Sequence, residues 1–198
     1  MKKNRKKLLI AGAILAAGIF IFSRRYRIKR VALSFKDVEE IGNNAGFNNA
    51  VFEEMMQNAG WNSGEQWCMY YVKAIYDTVA PRLKSDFAKS LGGSSQQSFF
   101  NVEAGKSKHL QVIKEGRPRV GDIVIWQNYA NPGKGHAGII VKVTNGGRTF
   151  TTVEGNTYEP GISSNNEIVA VVPNHKNEIG QKSNIYPSKK LRGFIRLK

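Results

Sequence analysis

Residues 135–157, "GHAGIIVKVTNGGRTFTTVEGNT", have the pattern of two β-strands joined by a tight turn. If the Asn-Gly-Gly sequence at 145–147 forms a three-residue loop, position 136 lies opposite position 156, and the even-numbered residues of both strands share one face. A two-residue Asn-Gly turn would shift the pairing by one and turn Glu154 away from His136. We favour the three-residue loop because it separates polar from apolar residues. The expected apolar face contains Ala137, Ile139, Val141, Val143 and Val153.

Similar strand patterns follow Pro118, in "GDIVIW" at 121–126, "IVAVVP" at 168–173 and "RGFIRL" at 192–197. Before Pro118 the patterns are helical, in "FKDVEEI" at 35–41, "NAVFEEMMQNAG" at 49–60 and "GEQWCMYYVKAIYDTVA" at 64–80. Residues 82–117 are polar and predict short helices and loops, with His109 at the surface. Helices followed by a run of strands predict an α+β domain in which N-terminal helices pack on an antiparallel sheet.

The third helical pattern carries the only cysteine of the chain, Cys68. Ser63 and Gln66 have the spacing of a capping box, which predicts a helix that starts near Gly64, and Pro81 marks its end. Cys68 therefore lies in the first turns of an amphipathic helix. Because a single cysteine cannot form an internal disulfide, it is either a small core residue or a reactive thiol.

Four polar side chains could meet if the N-terminus of this helix packs across the open end of the hairpin. A thiol with a pKa of about 8.5 is mostly protonated at neutral pH, and both a helix N-terminus and a neighbouring imidazolium lower that pKa. His136 could then accept the proton of Cys68, while Glu154, assisted by Asn156, would orient the imidazole ring. The spacing is therefore compatible with a cysteine nucleophile.

Simpler interpretations remain open on spacing alone. Cys68 could be inert packing, His136 could be structural and Glu154 could be solvated. A zinc site formed by these three residues would lack the paired-ligand spacing that is common in zinc sites. No metal and no other cofactor is predicted.

Residues 8–22, "LLIAGAILAAGIFIF", form an apolar run between two clusters of Lys and Arg. As a helix this run covers roughly 22 Å, and snorkelling of Lys7 and Arg24 extends it toward the hydrocarbon core of about 30 Å. The run predicts a transmembrane signal anchor within residues 1–30, followed by one domain at 31–198. A cleaved signal peptide is the alternative, although the bulky residues at 20–22 are poor cleavage chemistry.

The formal net charge of +15 first suggests a nucleic-acid partner. However, ten of the 30 Lys and Arg residues lie in the first 30 positions, where there is no acidic residue. The remainder of the chain carries 20 basic and 15 acidic residues. The basicity is mostly a feature of the leader, so no nucleic-acid partner is predicted.

Four segments taken together resemble the CHAP domains, which are cysteine- and histidine-dependent amidohydrolases and peptidases of the papain-like group that cut bacterial peptidoglycan. The segments are "GEQWCMYYV" at 64–72, "PRVGDIVIW" at 118–126, "GHAGIIVKV" at 135–143 and "TVEGNT" at 152–157. "LRGFIRL" at 191–197 is similar to a closing strand of that family, and residues 40–61 are similar to the segment that precedes its cysteine.

The resemblance implies that Cys68 is the nucleophile, His136 the general base and Glu154 the third member, with Asn156 near the site. The residue before the cysteine is Trp67, whereas it is often Gln in the family, and this departure affects the oxyanion hole. The backbone N–H of Cys68 is one expected donor. The other residues expected at the oxyanion hole or cleft are Gln66, Trp67 and Trp126.

The leading hypothesis is a membrane-anchored peptidoglycan hydrolase that cleaves an amide bond through a thioester, either between sugar and stem peptide or within the peptide. Its N-terminus would lie on the cytoplasmic side of the cytoplasmic membrane, and its catalytic domain would lie on the extracytoplasmic side. The alternatives are a catalytically silent wall-binding module and a phage lysis or injection factor with the same chemistry. The sequence does not indicate an oligomeric state.

Overall fold

A computed structural model describes residues 24–158 and 166–198. Its helices are α1 (residues 24–33), α2 (Ala50–Asn58), α3 (Cys68–Val79), α4 (Lys84–Phe87) and α5 (Ser95–Glu103). Its strands are β1 (Glu40–Ile41), β2 (Gly46–Phe47), β3 (Leu110–Ile113), β4 (Ile123–Asn128), β5 (Gly135–Thr144), β6 (Thr149–Thr157), β7 (Ile168–Lys176) and β8 (Lys189–Leu197).

Six of the strands form one sheet in the order β3-β8-β4-β5-β6-β7, and every neighbouring pair is antiparallel. The five strands predicted after Pro118 correspond to β4 through β8, and the α+β class with an antiparallel sheet is confirmed. β3 was not predicted, because its sequence "LQVI" is short and lies in a polar segment. It becomes a strand by pairing with β8, where Leu110 lies opposite Leu197.

The hairpin register is as predicted near its open end but not at its turn. Ile139 pairs with Val153 and Ile140 with Thr152, which is the expected register. Beyond a β-bulge between Ile140 and Lys142, however, Thr144 pairs with Thr149, so the loop contains four residues instead of three. The extra residue in the loop and the extra residue in the bulge compensate, and His136 and Glu154 keep the predicted relation.

Both faces of the sheet are buried, which the sequence pattern did not predict. One face packs against the helices, and its core includes Ile125, Ile139 and Val153. The opposite face carries a second apolar cluster around Trp126, Phe150 and Phe194, which is joined by Ile179 and Tyr186 from the segment between β7 and β8. Val143 packs in this second cluster instead of the predicted apolar face, because the bulge reverses the alternation.

Two helical predictions are wrong. Residues 35–41 form turns and β1, because their backbone bonds to the sheet: the N–H of Asp37 donates to the carbonyl of Val169, and the N–H of Glu40 to that of Glu167, each at 2.9 Å. Helix α3 begins at Cys68 and not near Gly64, since Ser63 forms no capping box and its hydroxyl donates to the carbonyl of Ala45. Helix α2 is confirmed, with Asn49 as its N-cap.

The transmembrane part of the predicted fold is corrected. Within residues 24–158 and 166–198 no helix is long and apolar enough to cross a membrane. The span predicted at residues 8–22 lies outside the described residues.

Helix α1 is part of the packed domain, although the sequence pattern assigns residues 24–30 to the leader. Ile28 and Ala32 are buried in the helix-side core, at 1% and 0% exposure. The Tyr71 hydroxyl of α3 donates a hydrogen bond of 2.8 Å to the carbonyl of Ala32. The packed domain therefore includes residues N-terminal to its predicted start at residue 31.

Candidate active site

Cys68 is the first residue of α3, and a side chain from β6 fixes this helix end. As a first-turn residue, Cys68 has a backbone N–H without an intrahelical acceptor. The preceding N–H, that of Trp67, donates to Oδ1 of Asn156 at 2.7 Å, although 89 positions separate the two residues. The ring of Trp67 also packs closely over Gly155, where an added Cβ would come within 2.4 Å of it. These contacts place the start of α3 on the end of β6.

Cys68, His136 and Glu154 form a chain of contacts. The Cys68 side chain lies close enough to the His136 ring to raise the pKa of that ring. Nε2 of His136 lies 2.7 Å from Oε2 of Glu154, which leaves Nδ1 as the ring nitrogen for the thiol. His136 is 7% exposed, Glu154 is fully buried and Cys68 is 8% exposed.

The charges of His136 and Glu154 stabilise each other. Burial alone would lower the pKa of His136, but its hydrogen bonds to Cys68 and Glu154 raise that pKa to about 10. Burial would also raise the pKa of Glu154, but hydrogen bonds from His136 and His175 hold it well below its usual range. The arrangement therefore favours an imidazolium next to an ionised carboxylate at neutral pH.

Three residues that sequence reasoning missed complete the surroundings of Glu154. The Thr152 hydroxyl donates to Oε1 and the Tyr186 hydroxyl donates to Oε2. Nε2 of His175 lies 3.1 Å from Oε1, and because an ionised carboxylate only accepts, this nitrogen is the donor. Burial and the Glu154 charge raise the pKa of Tyr186 well above its ordinary range, so that Tyr186 remains a donor.

Asn156 connects the start of α3 with β6 and does not contact His136 through any described hydrogen bond. Its Oδ1 accepts from Trp67, and its Nδ2 donates to Oε1 of Gln66 at 2.9 Å and to Oε2 of Glu167 at 2.7 Å. Its φ of 58° is in the left-handed region, which Asn tolerates better than most residues. These contacts position the residues around Cys68, and the predicted assistance of Asn156 to Glu154 stays a prediction.

Replacing Asn156 with alanine should lower the free energy of unfolding by about 1–3 kcal/mol, because buried partners such as the Trp67 N–H lose their hydrogen bonds. The matched control is Asn145→Ala, since Asn145 also has a positive φ, 50°, but lies exposed in the hairpin turn. Both variants place alanine in a left-handed conformation, so the difference reports the three hydrogen bonds of Asn156 against the single exposed bond of Asn145 to Thr149. Urea unfolding measures both variants, and equal losses would contradict the assignment.

The candidate site opens into a cleft of about 490 Å³. Gln66, Cys68, His136 and Asn156 line it, together with Glu167 and other residues from the same edge of the sheet. Of the three side chains predicted for the oxyanion hole or cleft, that of Gln66 lines the cleft. Trp67 is buried, with its Nε1 donating to Glu40 at 3.1 Å. Trp126 is also buried and stacks behind His136, with ring centroids 5.8 Å apart.

The His109 side chain is 46% exposed, as predicted, and its Nδ1 lies 3.0 Å from Oδ2 of Asp86. Across residues 24–158 and 166–198, no group of three His, Cys, Asp or Glu side chains is arranged to hold a metal ion.

At this edge of the sheet a thiol at a helix N-terminus lies near a histidine and a carboxylate on adjacent strands. The chain belongs to the CHAP domain family, whose family model matches residues 58–156, half of the chain. Membership makes this protein one of a family of peptidoglycan hydrolases of the amidase and peptidase type. No curated protein and no solved structure matches the chain.

Proposed function

We propose that the protein hydrolyses an amide bond of peptidoglycan, either between sugar and stem peptide or within the peptide, with Cys68 as the nucleophile. The observation that carries this proposal is a cluster of three side chains at a cleft: Cys68, His136, and a fully buried Glu154 whose Oε2 lies 2.7 Å from Nε2 of His136. Burying an isolated carboxylate costs free energy, and polar contacts to four side chains offset this cost for Glu154. Because peptidoglycan lies outside the cytoplasmic membrane, we infer that the domain acts there.

In the proposed first step the Cys68 thiolate attacks the carbonyl carbon of the amide, and a carbon–sulfur bond forms. The carbon–nitrogen bond breaks when the His136 imidazolium donates its proton to the leaving amine, which leaves a thioester on Cys68. In the second step neutral His136 takes a proton from water, and the hydroxide formed attacks the thioester. The carbon–sulfur bond breaks, and a carboxylic acid is released.

Two donors are available for the oxyanion of each tetrahedral intermediate. The backbone N–H of Cys68 is directed outward from the start of α3. Gln66 is exposed at the cleft, and because its Oε1 accepts from Asn156, its Nε2 hydrogens are free of that contact. Asn156 thus orients the amide of Gln66 as well as the backbone before Cys68.

Glu154 has the role of holding the His136 ring and stabilising its charge. Thr152, His175 and Tyr186 are positioning residues, because they act on Glu154 and not on the substrate. Their donors point at both carboxylate oxygens, so the carboxylate cannot rotate without losing a bond. The ring of His136 is therefore held between Cys68 and a fixed acceptor.

Gly138 gives Glu154 its space, since an added Cβ would lie 2.6 Å from Cγ of Glu154. We expect Gly138→Ala to lower the free energy of unfolding by about 1–3 kcal/mol through overpacking, and to lower hydrolysis by displacing Glu154. The matched control is Gly92→Ala, since a Cβ there would meet nothing within 4 Å. Thermal unfolding and peptidoglycan digestion measure both effects, and a Gly138→Ala protein as stable and active as the control would contradict this packing role.

The proposed function is tested by digesting purified peptidoglycan with the full chain and analysing the soluble products by mass spectrometry. A new amine terminus paired with a new carboxyl terminus would identify the amide that is cut. Peptidoglycan that binds the protein but yields no such pair would support a catalytically silent wall-binding module instead.

A further inference from the structure

The charged residues around the cleft are arranged in a line along one edge of the sheet. The strand termini at this edge are the start of β8, the end of β4, the start of β5, the end of β6 and the start of β7. Neighbouring strands are about 4.8 Å apart, so β8 and β7 each lie roughly 10 Å from β5, on opposite sides of it. His136 on β5 is therefore near the middle of the line.

The part of this line from β5 to β8 is cationic. Lys189 is the first residue of β8, and Lys134 directly precedes β5; both line the cleft. Nζ of Lys189 lies 4.9 Å from the ring centroid of Tyr186, the residue that donates to Glu154. Within residues 24–158 and 166–198, neither lysine forms an ion pair with an acidic side chain.

The other end is anionic. Glu167 directly precedes β7, lines the cleft and accepts from Nδ2 of Asn156 at 2.7 Å. Burial and the nearby charge of Glu40 raise the pKa of Glu167, while His136 lowers it. In the part of the chain that the structure describes, no Lys or Arg pairs with Glu167 or Glu40. A cation bound here would relieve the repulsion between the two carboxylates.

We propose that this cleft selects substrates with charges of opposite sign on the two sides of the scissile amide: a carboxylate that lies near Lys134 and Lys189, and a protonated amine that lies near Glu167. The inference rests on the proposed function, because Cys68 and His136 mark the position of the scissile bond between the two ends. The substrate class is a branched or cross-linked peptide segment that carries both a free amine and a free carboxylate. A substrate of the same length without these charges would leave the charged side chains at both ends of the cleft without a partner of opposite sign.

Binding to the full-length Cys68→Ala protein tests this selectivity without turnover. The probes are a single-stem muropeptide with a free amine, the same muropeptide acetylated on that amine, and the same muropeptide amidated on its carboxylates. Isothermal titration calorimetry gives the Kd of each probe. We expect acetylation and amidation each to weaken binding about three- to fivefold, as for a partly solvated ion pair.

Crossed variants assign the two ends. Adding Glu167→Gln, which retains an acceptor oxygen for Asn156, should reduce the effect of acetylation to less than about twofold and leave the effect of amidation unchanged. Adding Lys134→Ala and Lys189→Ala should instead reduce the effect of amidation to less than about twofold and leave the effect of acetylation unchanged. Equal affinity for all three probes, absence of binding, or a Glu167→Gln protein that still discriminates against the acetylated probe would overturn the inference.

Failure of the inference and failure of the proposed function are distinguishable. If the wild-type protein cleaves peptidoglycan while the three probes bind equally, only the charge selectivity is wrong. If the probes are discriminated as expected but the wild-type protein cleaves none of them and no peptidoglycan, the cleft is a binding site and the proposed function is wrong.

Discussion

The full-length Cys68→Ala protein will release less soluble product from purified peptidoglycan than the wild-type protein by a factor of about 10³ or more. Such a loss is typical when the nucleophile of a catalytic set is removed, because the remaining groups then act only through binding and oxyanion stabilisation. The chain has no second cysteine that could substitute. Product release is measured by mass spectrometry at equal protein concentration.

Two controls separate chemistry from folding in this experiment. Cys68→Ser keeps a polar group of similar size at the start of α3, and it should be as inactive as Cys68→Ala while both variants keep the melting temperature of the wild-type protein within about 2 °C. His109→Ala, at the exposed histidine, should keep its activity, whereas His136→Ala should lose it. Hydrolysis by Cys68→Ala at the wild-type rate would end the assignment of the nucleophile.

Glu154→Gln should lower activity by about 10²–10⁴ and the free energy of unfolding by about 3–5 kcal/mol. A carboxamide has one acceptor oxygen, so its NH₂ group would face donors that now bind the second carboxylate oxygen. The matched control is Glu115→Gln at an exposed position. Urea unfolding of both variants measures the stability loss, and a Glu154→Gln protein as stable as the control would contradict the network.

The stability difference between the wild-type protein and Glu154→Gln should depend on pH. The raised pKa of His136, about 10, contributes stability that is fully present below pH 6.5 and is lost as the pH rises through 10. The lowered pKa of Glu154 contributes stability that is present above its ordinary value of 4.5 and is lost as the pH falls. The difference is therefore expected to be largest between about pH 4.5 and 6.5, and a difference that is constant from pH 3 to 10 would contradict the coupled charges.

The sequence pattern was sufficient to predict the strands, because a strand is recognised by its alternation of polar and apolar residues. The apolar periodicity of residues 135–157 predicted β5, β6 and the relation between His136 and Glu154. It did not predict the bulge after Ile140, because nothing local distinguishes a four-residue loop with a bulge from a three-residue loop without one. The predicted relation between His136 and Glu154 was right because the extra residue in the loop and the extra residue in the bulge offset each other.

The contacts that support the site could not be predicted, since each joins segments that are distant in the chain. Asn156 caps α3 from β6, and this replaces the capping box expected from Ser63 and Gln66. Tyr186 reaches Glu154 because the segment between β7 and β8 covers the second face of the sheet, and His175 reaches it from the neighbouring strand β7. The catalytic roles of Cys68, His136 and Glu154 stay predictions until they are measured.

The most direct test of the central claim is the rate of Cys68 alkylation by iodoacetamide at pH 7, since every modified thiol in this chain is Cys68. If His136 and Glu154 activate Cys68, His136→Ala and Glu154→Gln should each slow alkylation by about tenfold or more, while the controls at exposed positions, His109→Ala and Glu115→Gln, should react at the wild-type rate. His136→Ala and Glu154→Gln proteins that are alkylated as fast as the wild-type protein would contradict the activation of Cys68 by these residues.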